Sequence, residues 1–110
     1  MRDLKKNSDR EVFLKLQKPD GTHYLLSYFD SIEIVLRSNN KDIRVLKVDN
    51  TLEEGKFFEY DDYTIQCYLE TRDSNVYSVI DVYVKVTKAN AKLSDGIFNK
   101  EYYSETFRFL

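Results

Sequence analysis

The 110-residue chain carries 17 Lys and Arg against 19 Asp and Glu, a formal charge of −2, and so lacks the basic surplus that general attraction to nucleic acid or anionic membrane requires. A chain of this length makes one domain that buries roughly 65% of its unfolded surface. The single cysteine, Cys67, cannot close an internal disulfide, and no apolar run reaches the ~18 residues of a membrane-spanning helix.

Residues 1–10 are polar and rich in Arg and Lys, so no signal peptide is expected there, and they predict a flexible N-terminal arm that orders on a partner, ahead of a single domain over 11–110. Val12, Leu14 and Leu16 alternate with Phe13, Lys15 and Gln17, the pattern of a first strand. Pro19-Asp20-Gly21-Thr22 supplies a turn, and His23 to Tyr28 reads as the return strand. Ile32, Ile34 and Leu36 define the next strand, and Ser38 to Asp42 a turn. Ile43 to Val48 alternates poorly, which predicts either a strand covered on both sides or a bulge. Asp49 to Gly55 reads as a single helical turn, and Lys56 to Tyr60 as a short strand.

The clearest signal lies between Tyr63 and Lys88. Tyr63, Ile65, Cys67 and Leu69 share one face of a strand, and Val76, Ile80, Val82, Val84 and Val86 share one face of the next. The break Thr71 to Asn75 between them predicts a hairpin with one apolar side and one side of tyrosines and charges. After the connection Ala89 to Asn99, a last strand runs from Glu101 to Phe109 with Tyr103, Glu105, Phe107 and Phe109 on one face. About eight short strands without helical periodicity predict an all-β fold, a two-sheet antiparallel sandwich of immunoglobulin-like topology, with a small closed barrel as the alternative.

Catalytic chemistry is not legible. His23 stands alone beside a turn and reads as a solvated strand residue, and Cys67 lies on the predicted core face, where a thiol is inert. His and Cys together number two, too few for an ordinary zinc site. The acidic clusters Glu59-Asp61-Asp62 and Asp49-Glu53-Glu54 lack the spacing of a calcium loop, and Gly21, Gly55 and Gly96 are too dispersed for a phosphate loop. The chain is therefore expected to be no enzyme and to need no cofactor or metal.

The unusual feature is 9 Tyr and 7 Phe without Trp. Tyr68, Tyr77 and Tyr83, with Lys85 beside them, fall on the predicted outward side of the hairpin. There they read either as a protein interface or as cross-strand packing pairs. Glu70 and Asp81 on the same side disfavour base stacking on a basic groove. A small-molecule pocket is neither supported nor excluded by the pattern.

Phe13-Leu14-Lys15-Leu16, Pro19-Asp20-Gly21, the strand from Asp30 to Leu36, the loop Leu93-Ser94-Asp95-Gly96 and the closing Thr106-Phe107-Arg108-Phe109-Leu110 together resemble small immunoglobulin-like modules of tailed-bacteriophage structural proteins, such as the N-terminal domains of baseplate upper proteins. The resemblance implies a non-catalytic assembly adaptor. Such modules often precede a receptor-binding region, whereas this chain stops at Leu110, which turns the expectation toward capsid decoration or a tail or baseplate joint. The implied location is the virion, assembled in the host cytoplasm, with copies of itself or other virion proteins as partners and neither nucleic acid nor membrane. The competing expectation is a small phage or mobile-element inhibitor that blocks one host defence enzyme.

Overall fold

The computed structural model describes residues 2–4, 10–48, 56–70 and 76–109. Eight strands occur among them: β1 (Arg2–Leu4), β2 (Arg10–Lys15), β3 (Ser31–Ser38), β4 (Lys41–Val48), β5 (Lys56–Glu59), β6 (Thr64–Leu69), β7 (Val79–Ala89) and β8 (Ile97–Phe109). One layer is the antiparallel sheet β4-β3-β7-β8. The other is built on the antiparallel pair β2-β6, with β5 antiparallel to β6 on its far side. A parallel contact of only two residue pairs, Lys47 with Lys56 and Val48 with Phe57, carries hydrogen bonding from β4 to β5 and so from one layer to the other. The order β1-β8-β7-β3-β4-β5-β6-β2 is open at both ends, so the fold is a sandwich and not a closed barrel.

The inward faces of both layers meet in one core. It takes Ile80, Val82, Val84 and Val86 from β7, Ile32, Ile34 and Leu36 from β3, Val12 and Leu14 from β2, and Ile65, Cys67 and Leu69 from β6. This placement corrects the expected hairpin: β6 pairs with β5 and β2, while β7 pairs with β3 and β8. Two strands each carrying a complete apolar row cover one another best from opposite layers. Side by side in one sheet, both rows would need a third element to exclude water.

Three further expectations change. The return strand over 23–28 shortens to a bridge between Gln17 and His23, after which the chain turns through a 3-10 helix at Leu26–Tyr28. Leu26 and Phe29 are three residues apart, a spacing that alternation would send to opposite faces and a 3-10 turn sends to one, and both are buried. In β8, Val82 pairs with Glu105 but Tyr83 pairs with Tyr103, so Ser104 is an extra residue on the β8 side. This bulge reverses the facing of everything before it. Phe107 and Phe109 are buried as expected, but Tyr102, opposite Val84, packs on the core and Tyr103 points to solvent. The poor alternation of β4 has the same origin. Leu36 pairs with Arg44 and Arg37 with Asp42, leaving Ile43 as the extra residue, so Ile43 and Leu46 both reach the core.

The turn between β3 and β4 places Asn39 and Asn40 at φ 52° and 63°, the paired left-handed geometry that suits a two-residue hairpin and that asparagine tolerates. At the N-terminus, Arg2–Leu4 runs parallel to Phe107–Phe109. Arg108 donates to both carboxylate oxygens of Asp3 at 2.9 Å. The expected arm thus begins in a strand, and residues 5–9 lie outside the described residues, as do the expected helical turn at 49–55 and the break at 71–75.

The layer assignment predicts that Ile80→Ala, at a fully buried position, lowers unfolding free energy by about 2–4 kcal/mol in urea denaturation. Val45→Ala, on the outer side of the same sheet and 42% exposed, should shift it by about 0.5 kcal/mol or less.

Candidate functional site

Correct register on the inside of β4-β3-β7-β8 also orders its outside. Direct cross-strand partners form three rows. The middle row is Val45, Val35, Tyr83 and Tyr103. One flanking row reads Lys47, Glu33, Lys85, Glu101, and the other reads Asp42, Arg37, Asp81, Thr106. Val35 is buried beneath its neighbours, whereas Tyr103 is 57% exposed. The Tyr83 and Tyr103 rings meet edge to face at 5.6 Å.

Arg37 ties these rows together. Its guanidinium lies over the Tyr83 ring at 4.4 Å, donates to Asp42 at 2.7 Å, and reaches both oxygens of Glu101 at 2.7 and 3.2 Å. Those two carboxylates hold its pKa above the ordinary arginine value. Thr106 bridges Asp81 at 2.5 Å and the Tyr103 hydroxyl at 2.6 Å. These contacts fix the side chains of Arg37, Asp42, Glu101, Asp81, Thr106 and Tyr103 within the face, beside the exposed apolar surface of Val45 and Tyr103.

Of the residues that the sequence singles out, Tyr83 and Lys85 lie together on this face. Tyr68 does not join them: it belongs to β6 in the other layer, opposite Glu11, and its hydroxyl donates to the Glu11 carboxylate at 3.3 Å. Partial burial, and then that carboxylate, raise its pKa. Tyr77 precedes β7 and packs against the core. The four residues thus do not form one cluster. Tyr103, Val45 and Arg37 complete the face instead. The Ser104 bulge hid Tyr103, and the Ile43 bulge hid Val45, because each breaks the alternation by which an outward residue is recognised.

A second aromatic feature lies at the sandwich end where the chain turns between β2 and β3. Tyr24 stacks on Tyr28 at 5.4 Å, and Phe29 meets both rings edge to face. Lys18 lies 5.4 Å from the Tyr24 ring, Lys88 4.1 Å from Tyr28 and Lys100 4.6 Å from Tyr102. Lys88 also donates to the Tyr28 carbonyl at 2.7 Å. Burial, with the Tyr24 hydroxyl bonded alongside, raises the Tyr102 phenol. A cavity of about 220 Å³ opens among Tyr28, Phe98 and Tyr102, and a second of about 400 Å³ adjoins it across Tyr24 and Tyr102. The spacing Tyr24-x3-Tyr28-Phe29 is visible in the sequence. Its meeting with Lys88, Phe98, Lys100 and Tyr102 depends on the end of the β7-β8 hairpin lying against it.

His23 is exposed on its bridge, near Lys15, Thr22, Asp61 and Tyr63. Asp61 accepts the Tyr63 N–H at 2.8 Å, a bond that lowers its pKa. Among the described residues no group of three or more His, Cys, Asp or Glu is placed to hold a metal ion, and Asp49, Glu53 and Glu54 lie outside them. Comparison with protein-family models, with curated proteins and with solved structures returns no match.

Cys67 is buried, and burial pushes its thiol up to about 12, with the Arg44 charge a smaller opposing influence. The native protein should therefore resist Ellman's reagent near neutral pH and react only on unfolding in guanidinium. Fast stoichiometric reaction of the folded protein would contradict this placement.

Proposed function

We propose that the protein is a non-catalytic assembly module whose outer β4-β3-β7-β8 face pairs with the same face of a second copy. The order of the charges along the face carries this reading. A twofold axis parallel to the strands reverses each row, so Lys47-Glu33-Lys85-Glu101 is laid against its own reverse and every position meets the opposite sign. In the middle row, the exposed Tyr103 of one copy meets the exposed Val45 of the other. Arg37 and Asp81 likewise exchange partners in the third row. An isologous contact demands this self-complementarity. The seven charged side chains of the three rows alternate in sign, which suits a protein partner better than a polyanion. The likeness to phage structural modules extends the proposal to a virion component, in which such a pair would join neighbouring subunits of a capsid, tail or baseplate.

Charge exchange tests the pairing. In the twofold arrangement Glu33 of one copy faces Lys85 of the other, so Glu33→Lys and Lys85→Glu alone should each weaken the dimer about tenfold or more in sedimentation velocity, and the double exchange should restore it. A monomeric wild-type protein at high micromolar concentration, or single variants that dimerise normally, would overturn the proposal. Tyr103→Ala should likewise weaken association, while the loss of its Tyr83 and Thr106 contacts lowers urea stability by only about 1–2 kcal/mol and leaves the fold intact.

A further inference from the structure

The aromatic cleft between the β2-β3 connection and the β7-β8 turn suggests a ligand site distinct from the outer face. From it we infer that the protein binds a nucleoside monophosphate, or a ligand of the same chemistry, with a flat heteroaromatic ring joined to a phosphate dianion. The two adjoining cavities divide the chemistry. The smaller, about 220 Å³, is lined by the aromatic residues Tyr24, Tyr28, Phe29, Phe98 and Tyr102 and suits a planar ring, since contact with aromatic side chains tolerates any base. The larger, about 400 Å³, is flanked by Lys18 and Lys100, both exposed. Two ammonium groups on one rim match a doubly charged phosphate better than a single carboxylate. Tyr24 and Tyr102 line both cavities, so one ligand spans the pair, whose joint volume falls in the range usual for small-molecule sites.

The surrounding charges agree with this division. Asp20, the acid beside Lys18, is turned into its own loop, where its Oδ1 accepts the Thr22 N–H at 3.0 Å and the Thr22 hydroxyl at 2.6 Å. Asp30 accepts the Ala89 N–H at 2.6 Å. Both carboxylates are committed to the backbone that shapes the cleft. The result is a local cluster of three lysines on a chain whose formal charge is −2.

Titration of 15N-labelled protein with adenosine 5′-monophosphate, followed by amide chemical shifts, tests the inference. Saturable shifts should centre on Tyr24, Tyr28, Phe98 and Tyr102, with a dissociation constant in the micromolar to low millimolar range. The Lys18→Ala/Lys100→Ala double variant should raise that constant about tenfold or more and leave the rest of the spectrum in place, because both side chains are exposed. Adenosine and inorganic phosphate, used separately, should each bind more weakly than the monophosphate. No saturable shift at about 10 mM monophosphate, equal binding of adenosine, or an unchanged constant in the double variant would each overturn it. So would binding of a single-stranded oligonucleotide without binding of the monophosphate. Because the cleft and the outer face share no residue named in either argument, loss of dimerisation in the Glu33 or Lys85 variants leaves this titration informative on its own.

Discussion

The structure depends on keeping the neighbours of β7 in phase with it. Ile80, Val82, Val84 and Val86 keep a strict two-residue period, and all four are buried, so β7 fixes which side of its sheet is inside. The apolar residues of β8 and β4 do not keep that period. Tyr102 and Phe107 are five apart, and Ile43 and Leu46 three apart, yet each pair must face the same core. One extra residue in each strand, Ser104 and Ile43, supplies the missing step. Neither residue is special in its chemistry; the position of the insertion does the work.

The same two insertions shape the surface. Without them the outer rows would mix inward and outward residues. With them, Val45 and Tyr103 come into line with Val35 and Tyr83. The core and the candidate interface are thus two sides of one register. The opposite layer is held to this sheet differently. Arg44 points inward from β4 opposite Leu36, bonds Glu70 at 2.6 Å and the Tyr68 carbonyl at 3.3 Å, and so links β4 to the end of β6. A partly buried ion pair of this kind adds specificity of layer position more readily than net stability.

Much of this was legible in the residues. The alternation of Val12 with Leu14, of Ile32 with Ile34 and of Ile80 through Val86 identifies strands and their buried faces, and the count of such strands identifies a β-sandwich. The poor alternation of Ile43 to Val48 correctly admitted a bulge. Pairing was not legible, because periodicity states which way a side chain faces and not which strand lies beside it. Tyr63 to Leu69 and Val79 to Ala89 are adjacent in sequence and similar in pattern, yet they lie in opposite layers. The outer face suffered from the same limit: Tyr83 and Lys85 were recognisable from the unbroken period of β7, Tyr103 was concealed by Ser104, and Tyr77 lies before the strand whose period it was assigned. The cleft was invisible for a different reason, since it joins residues about eighty positions apart.

The register across the Ser104 bulge can be observed directly by nuclear Overhauser effects in the folded protein. Contacts between the Tyr83 and Tyr103 rings, and between Val84 and Tyr102, are predicted from their pairing. If Tyr83 instead contacted the Ser104 side chain and Tyr103 contacted the buried core, β8 would run without a bulge, and both the core packing and the ordered outer face would be wrong.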